Sequence, residues 1–179
     1  TEVRLVQDNG QPAAEGEPGE LIVRGPQVMR GYWKREDETA NVIKDGWLYT
    51  GDVGVMDSQG YFRIVDRKKD MVLVSGFNVY PNEVEDALAK MGAILEAAVV
   101  GVPDRNSGES VRAYVVKNPE FAGELTKEAV IAHCKTLLTD YKVPKSVVFR
   151  DELPKSPVGK ILRKDLKSEV KTEFAVKSK

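Results

Sequence analysis

Residues 66–83 read Asp66-Arg67-Lys68-Lys69-Asp70-Met71-Val72-Leu73-Val74-Ser75-Gly76-Phe77-Asn78-Val79-Tyr80-Pro81-Asn82-Glu83. Five consecutive charges stand between two apolar runs of strand length, Tyr61–Val65 before and Met71–Val74 after. A charge run this short is ordinarily a solvated turn. Here it also separates two different patterns, so a boundary is placed at residues 66–69. Gly76 closes the second apolar run, directly before an aromatic residue. A glycine there points to a positive φ or to something approaching the backbone closely, and a plain tight turn is the alternative.

Before the boundary the chain is β-rich. Thr1–Val6 alternates apolar and polar, and Glu20–Arg24 is an apolar run flanked by charges, with turn signals Asp8-Asn9-Gly10 and Pro18-Gly19 between them. Arg35–Ile43 reads as a short helix ended by Asp45-Gly46. Trp47–Thr50 and Val53–Met56 read as two short strands. Beyond the boundary helices and strands alternate. Glu83–Met91 is helical, with Asn82 as its expected N-cap. Ile94–Val102, Val111–Lys117 and Val147–Arg150 are expected strands, and Lys127–Leu138 and Arg163–Phe174 expected helices. The fold class expected is α+β: a small carboxy-terminal domain with a central β-sheet flanked by helices, preceded by a β-rich piece.

Composition narrows the function classes. The 179 residues are 41% hydrophobic with a net charge of −1, ordinary for a globular chain. No run approaches the roughly 18 apolar residues of a membrane-spanning helix. Thr1-Glu2-Val3-Arg4 has neither a starting Met nor the apolar core of a signal peptide, and reads as the middle of a longer chain. The single Cys134 excludes an intrachain disulfide, and one His with one Cys argues against a zinc site; no metal ligands are expected. Charge is unevenly spread, −5 over residues 1–60 and +6 over residues 142–179. A basic tail of this kind is compatible with phosphates or an anionic surface, or with a solvated helix face.

Three groups of residues carry candidate chemistry. In Trp47-Leu48-Tyr49-Thr50-Gly51-Asp52 a carboxylate follows a glycine at a strand end, placed to accept two hydrogen bonds from a vicinal diol; Thr-Gly-Asp is also a common turn. Arg67, within the charge run, has a planar fork suited to phosphate or sugar oxygens. In Leu153-Pro154-Lys155-Ser156-Pro157-Val158-Gly159-Lys160 two prolines and a glycine shape a loop that ends in a lysine, a point charge on a long stem. The glycine spacing of a P-loop is absent, and a surface loop is the alternative.

Taken in order, these stretches resemble the adenylate-forming enzymes. Gly31-Tyr32-Trp33 and Asp45–Asp52 resemble the late core of that family, Asp66–Glu85 its hinge, and Leu153–Lys160 its catalytic-lysine motif. The wording of Val65–Glu83 is most similar to bacterial long-chain fatty-acid CoA ligases. The resemblance implies a two-step reaction. A fatty acid is activated by ATP with Mg²⁺ to an acyl-adenylate, and the thiol of coenzyme A then displaces AMP after the small domain rotates. It implies that Asp52 and Arg67 bind the ribose of ATP or AMP, that Lys160 bridges carboxylate and phosphate during adenylation, that Lys69 is the hinge, and that Ser75, Gly76 and Phe77 line the path of coenzyme A. It assigns residues 1–65 to the end of the large AMP-binding domain, 66–69 to the hinge and 70–179 to the carboxy-terminal domain. The sequence shows no Ser/Thr/Gly-rich phosphate loop, so the fragment alone is expected to be inactive, with its Mg²⁺ site mostly outside it.

Leu73 departs from relatives with a polar or basic residue there, which puts a coenzyme A or phosphate contact from that position in doubt. The partners expected are fatty acid, ATP and coenzyme A, with no nucleic acid; the oligomeric state is left open. The expected location is the cytoplasm, with peripheral association on the inner membrane through the basic segment. The alternatives are an aryl-CoA ligase, a carrier-protein adenylation domain, or a non-catalytic binding module with the same fold.

Overall fold

The computed structural model describes residues 1–177. The chain forms two compact units, Thr1–Lys69 and a second beginning at Asp70.

The first unit is a sheet of short strands. Its elements are β1 (Glu2–Val6), β2 (Gly19–Arg24), α1 (Glu36–Val42), β3 (Ile43–Lys44), β4 (Trp47–Met56) and β5 (Phe62–Arg67). All pairings are antiparallel: β1 with β2, β2 with β4, and both β3 and β5 with β4. Leu5, Val6, Ile22, Trp47 and Val53 are buried. The guanidiniums of Arg4 and Arg24 lie 4.5 and 4.6 Å from the Trp47 ring centroid. Arg24 also binds both carboxylate oxygens of Glu2, so the pair of cations covers an aromatic ring that this small core cannot enclose.

Three expectations change here. The predicted helix stops at Val42, because Ile43 and Lys44 leave it to pair with Leu48 and Trp47. The two strands expected over 47–56 are one strand of ten residues. The charge run is only partly a turn: Asp66 and Arg67 belong to β5, and only Lys68–Asp70 turns, as a 3₁₀ segment. Pairing with β4 carries the strand on into the charges, because the β4 backbone offers partners up to Asp52.

The second unit contains β6 (Val72–Val74), β7 (Phe77–Val79), α2 (Pro81–Ala89), β8 (Ile94–Asp104), β9 (Gly108–Lys117), α3 (Lys127–Leu137), β10 (Ser146–Arg150) and α4 (Arg163–Lys177). β9 is central, antiparallel to β8 and parallel to β10, and the β6–β7 hairpin joins it through Val74 and Gly108. Side chains alternate between two cores. Val99, Val111, Ala113 and Val115 pack with Val84 and Leu88 of α2 and Val130 and Cys134 of α3. Ala98, Val100, Tyr114 and Val116 pack with Leu166 and Val170 of α4. With both faces covered, β8 and β9 read as continuous apolar runs, which is why they are plain in the sequence.

Asn82 is not the N-cap of α2. Tyr80 holds that position without a side-chain hydrogen bond, and Pro81 occupies the first turn. Proline is tolerated there because its missing N–H has no intrahelical partner to lose. By contrast Thr126 caps α3, its hydroxyl accepting from the Ala129 N–H at 3.1 Å.

Candidate functional site

In the first unit the candidate ribose carboxylate sits on a bulge. Glu20 of β2 faces Val53 and Ile22 faces Tyr49, so Thr50, Gly51 and Asp52 stand together opposite Leu21. Accommodating them takes a left-handed residue mid-strand, and Gly51 supplies it at φ +72°. The Thr50 hydroxyl fixes the bulge, donating to the Leu21 carbonyl at 2.7 Å and accepting from the Asp52 N–H at 3.1 Å. Glu20 supports it from below. One of its oxygens accepts from the Gly51 N–H at 3.2 Å and the other from the Lys68 ammonium at 2.9 Å. Lys68 also reaches Asp8 at 2.8 Å. The hydrogen bond to Asp8, with Glu20 adding to it, holds the Lys68 ammonium above the ordinary lysine range despite the opposing effect of burial.

The bulge brings Asp52 and Arg67 together as cross-strand partners. Arg67 Nε lies 2.8 Å from Asp52 Oδ1, with the carboxylate 28% and the guanidinium 55% exposed. A carboxylate has about four acceptor sites. Arg67 faces Oδ1 as an ion pair, and among the described residues no side-chain donor is hydrogen-bonded to either oxygen. The pair therefore presents an acceptor and a planar cation side by side, a match for sugar hydroxyls and a nearby phosphate. Lys69, the candidate hinge residue, is exposed within the 3₁₀ segment.

In the second unit Ser75 and Gly76 are the two central residues of the β6–β7 turn, with Val74 paired to Phe77. Their φ values are +51° and +85°, the combination that a two-residue hairpin turn of type I′ requires. A Cβ on Gly76 meets nothing within 4 Å, so the glycine answers a backbone demand and borders open space. The Ser75 N–H donates to the Ser107 carbonyl at 2.8 Å, pinning the hairpin tip. That neighbouring turn is itself fixed by Asp104, whose carboxyl is held well below the usual carboxylate range by the N–H groups of Asn106 and Ser107, then by the Ser107 hydroxyl and Lys145. Phe77 is 57% exposed and stacks on Tyr141 with ring centroids 4.9 Å apart. The hairpin thus ends in an aromatic shelf.

Lys160 leaves a tightly closed loop. The Gly159 N–H donates to the Ser156 carbonyl at 2.9 Å, the Ser156 N–H to the Lys160 carbonyl at 2.8 Å, and the Lys160 N–H to the Ser156 hydroxyl at 3.1 Å. A bridge between Lys155 and Ile161 closes the base, and Lys155 is tied to Glu96 at 2.6 Å. Lys160 is exposed and, among the described residues, its ammonium has no ion-pair partner. Lys68, Lys142, Lys145, Lys155 and Lys167 all have one.

The sequence did not point to Glu20, Lys68 or Tyr141. Glu20 read only as a charge flanking an apolar run, and Tyr141 lies in a short 3₁₀ segment with no pattern to mark it. No group of three or more His, Cys, Asp or Glu side chains among the described residues is arranged to hold a metal ion. No helix among them is long and apolar enough to cross a membrane.

Comparison with known proteins identifies the architecture. Residues 83–160 match the family described as the AMP-binding enzyme C-terminal domain, and residues 1–33 match the AMP-binding enzyme family. A long-chain-fatty-acid–CoA ligase of Yersinia pestis is 60% identical over 169 residues, covering 94% of this chain and 30% of that protein. A feruloyl-CoA synthase of Amycolatopsis sp is 46% identical over 174 residues, covering 97% of this chain and 34% of that one. Among solved structures, o-succinylbenzoate CoA synthetase from Bacillus subtilis, in complex with its acyl-adenylate intermediate, matches with a TM-score of 0.83 at 36% identity, over 93% of this chain and 33% of that one. The chain belongs to the adenylate-forming, AMP-binding enzyme family. It spans about a third of the length of each of these three relatives.

Proposed function

We propose that this chain is part of a long-chain fatty-acid CoA ligase, an acid–thiol ligase that makes an acyl-adenylate from fatty acid and ATP and then an acyl-CoA. The observation that carries this reading is Lys160, whose ammonium has no ion-pair partner among the described residues and stands on a loop that its own backbone bonds hold closed. In the first step a carboxylate oxygen of the fatty acid bonds to the α-phosphorus of ATP and pyrophosphate leaves. Negative charge gathers on the α-phosphoryl oxygens, and a positioned cation is most effective there. Lys160 supplies that cation. Asp52 accepts from the ribose hydroxyls, and Arg67 both orients Asp52 and offers its remaining N–H groups to ribose or phosphate.

In the second step the second unit turns about Lys69, the residue at the junction of the two units. Residues 1–65 then serve as the end of the large domain, 66–69 as the hinge and 70–179 as the mobile domain. Lys160 is withdrawn, and the hairpin Ser75-Gly76-Phe77 borders the path of pantetheine. The sulfur of coenzyme A bonds to the acyl carbon and AMP leaves. This chain is assigned no part in holding Mg²⁺. The similarity to long-chain-fatty-acid–CoA ligases supports the fatty acid as substrate. The 46% identity to a feruloyl-CoA synthase keeps an aryl-CoA ligase as the second reading. The basic segment 142–179 would give at most peripheral attachment to the inner membrane of the cytoplasmic compartment.

The test is Lys160→Ala in the full-length enzyme, with the half-reactions assayed apart. Losing one charge-stabilising donor typically lowers a rate by about 10²–10³. Adenylate formation should fall by that factor, while transfer to coenzyme A from supplied acyl-adenylate stays within a few-fold. Equal loss in both half-reactions would make Lys160 a structural residue. A panel of fatty and aromatic acids then separates the two substrate readings.

A further inference from the structure

Asp70 is the first residue of the second unit and directly follows Lys69. Its carboxylate is only 15% exposed and is held from α4 by Lys167 Nζ at 2.6 Å and, more loosely, by Arg163 Nη1 at 3.9 Å. Arg163 lays its fork along Glu85 of α2, with Nε 3.0 Å from Oε1 and Nη2 bonded to Oε2, and also donates to Asn82. Glu85 Oε1 accepts from the Val99 N–H of β8 at 2.8 Å. One polar cluster therefore joins the start of the unit, α2, β8 and the first two turns of α4.

The same cluster reaches the candidate lysine without a slack segment. Only Ile161 and Leu162 separate Arg163 from Lys160. Ile161 is bridged to Lys155, and the Leu162 N–H donates to the Pro154 carbonyl at 2.8 Å. Burying several charges is a poor way to gain stability, since apolar packing of equal volume generally does as well. A bidentate guanidinium does fix direction, because both bonds form in only one relative orientation.

We propose that Arg163 and Lys167 are positioning residues for Lys160. They lock the lysine loop to Asp70, so that a turn about Lys69 delivers the ammonium to one fixed place. This rests on the assignment of Lys160 and Lys69 under the proposed function. Neither Arg163 nor Lys167 touches substrate; each acts through the loop and the hinge-side carboxylate. The bond from Asp70 to Lys167 spans 97 positions of sequence, and it makes a rotation at one end of the unit meaningful at the other.

The experiment uses the full-length enzyme with Lys167→Gln and Arg163→Lys, each alone and combined with Lys160→Ala. Misplacing a catalytic group by about 1 Å costs on the order of 10²-fold. Partial loosening should therefore slow adenylate formation by about 10-fold or more, with KM for ATP unchanged, thioester formation retained and melting within a few degrees of the parent. On the Lys160→Ala background neither substitution should slow adenylation further, because there is no longer an ammonium to place. Losses that multiply with that of Lys160→Ala overturn the proposal. So does normal adenylation after the tie to Asp70 is cut, and so does a parallel loss of both half-reactions and of melting temperature. If Lys160→Ala alone leaves adenylation untouched, the functional assignment itself fails, a result that the single variant identifies before any combination is made.

Discussion

Gly76 separates a backbone requirement from a passage requirement. Its φ of +85° lies in the left-handed region, and a Cβ there meets no atom within 4 Å. Alanine and leucine should therefore suffer the same backbone penalty, roughly 1–2 kcal/mol, with no clash at Cβ in either. Reduced freedom of the unfolded chain offsets about 0.4–1 kcal/mol of this. The net destabilisation is about 1 kcal/mol, and at about 4–8 °C per kcal/mol for a domain of this size both variants should melt several degrees below the parent, together. They should part in catalysis. If pantetheine passes the hairpin tip, the leucine side chain enters its path and the alanine methyl barely does. Gly76→Leu should then slow thioester formation by about 100-fold or more, equivalent to at least 2.7 kcal/mol, while adenylate accumulates. Gly76→Ala should lose only a few-fold. The assay is a single-turnover quench in the full-length enzyme that follows adenylate and acyl-CoA separately, with melting of each variant. If alanine and leucine lose both steps alike and in proportion to melting, Gly76 serves the turn only and its assignment to the pantetheine path is wrong.

Three further outcomes are expected. Thr50→Val removes the two hydrogen bonds that hold the β4 bulge, so the chain should lose about 1–2 kcal/mol in urea unfolding, and AMP titration of the full-length enzyme should show weaker binding; unchanged affinity would separate the bulge from the nucleotide site. Burial pushes the Cys134 thiol from 9.0 up to about 11, so between those pH values an unfolded chain releases a proton that the folded chain retains. Stability should fall by about 1.4 kcal/mol per pH unit across that window from this group, and urea titrations at pH 8 and 10.5 should show the fall in the parent but a smaller one in Cys134→Ala. Association with anionic liposomes should be weak at low salt and vanish at physiological salt; co-sedimentation indifferent to lipid charge counts against a role for the basic segment.

The second unit was the more legible in the sequence because both faces of its sheet are covered. Continuous apolar runs such as Ile94–Val102 have no other use in a chain of this composition, and the structure extends that run only to Asp104. The first unit was harder. Trp47–Met56 reads as two strands because Gly51-Asp52 interrupts the pattern, and only the ladder with β2 reveals that the interruption is a bulge within one strand. Asn82 fits the statistics of an N-cap, but Pro81 starts the helix earlier, and the amide instead meets Arg163. The local motifs Thr50-Gly51-Asp52 and Ser75-Gly76 were visible because a bulge and a tight turn that need a left-handed residue both draw on glycine. Glu20, Arg163 and Lys167 were not, because their partners lie 31, 78 and 97 positions away, and nothing in local spacing encodes such a distance.

The cap that Glu85 places on the Val99 N–H also bears on self-association. β8 is an edge strand of eleven residues, hydrogen-bonded on one side to β9. A long apolar edge with its amides facing outward is a template for another chain to add to. Residues of the same parity as Val99 turn their N–H groups away from β9, and at two of those positions none is on offer. Glu85 occupies the amide of Val99, and Pro103 has none. A strand approaching this edge would find its hydrogen-bond ladder broken at both places. Once α2 has packed on the sheet, Glu85 therefore guards the exposed edge of β8 in the folded chain against intermolecular pairing.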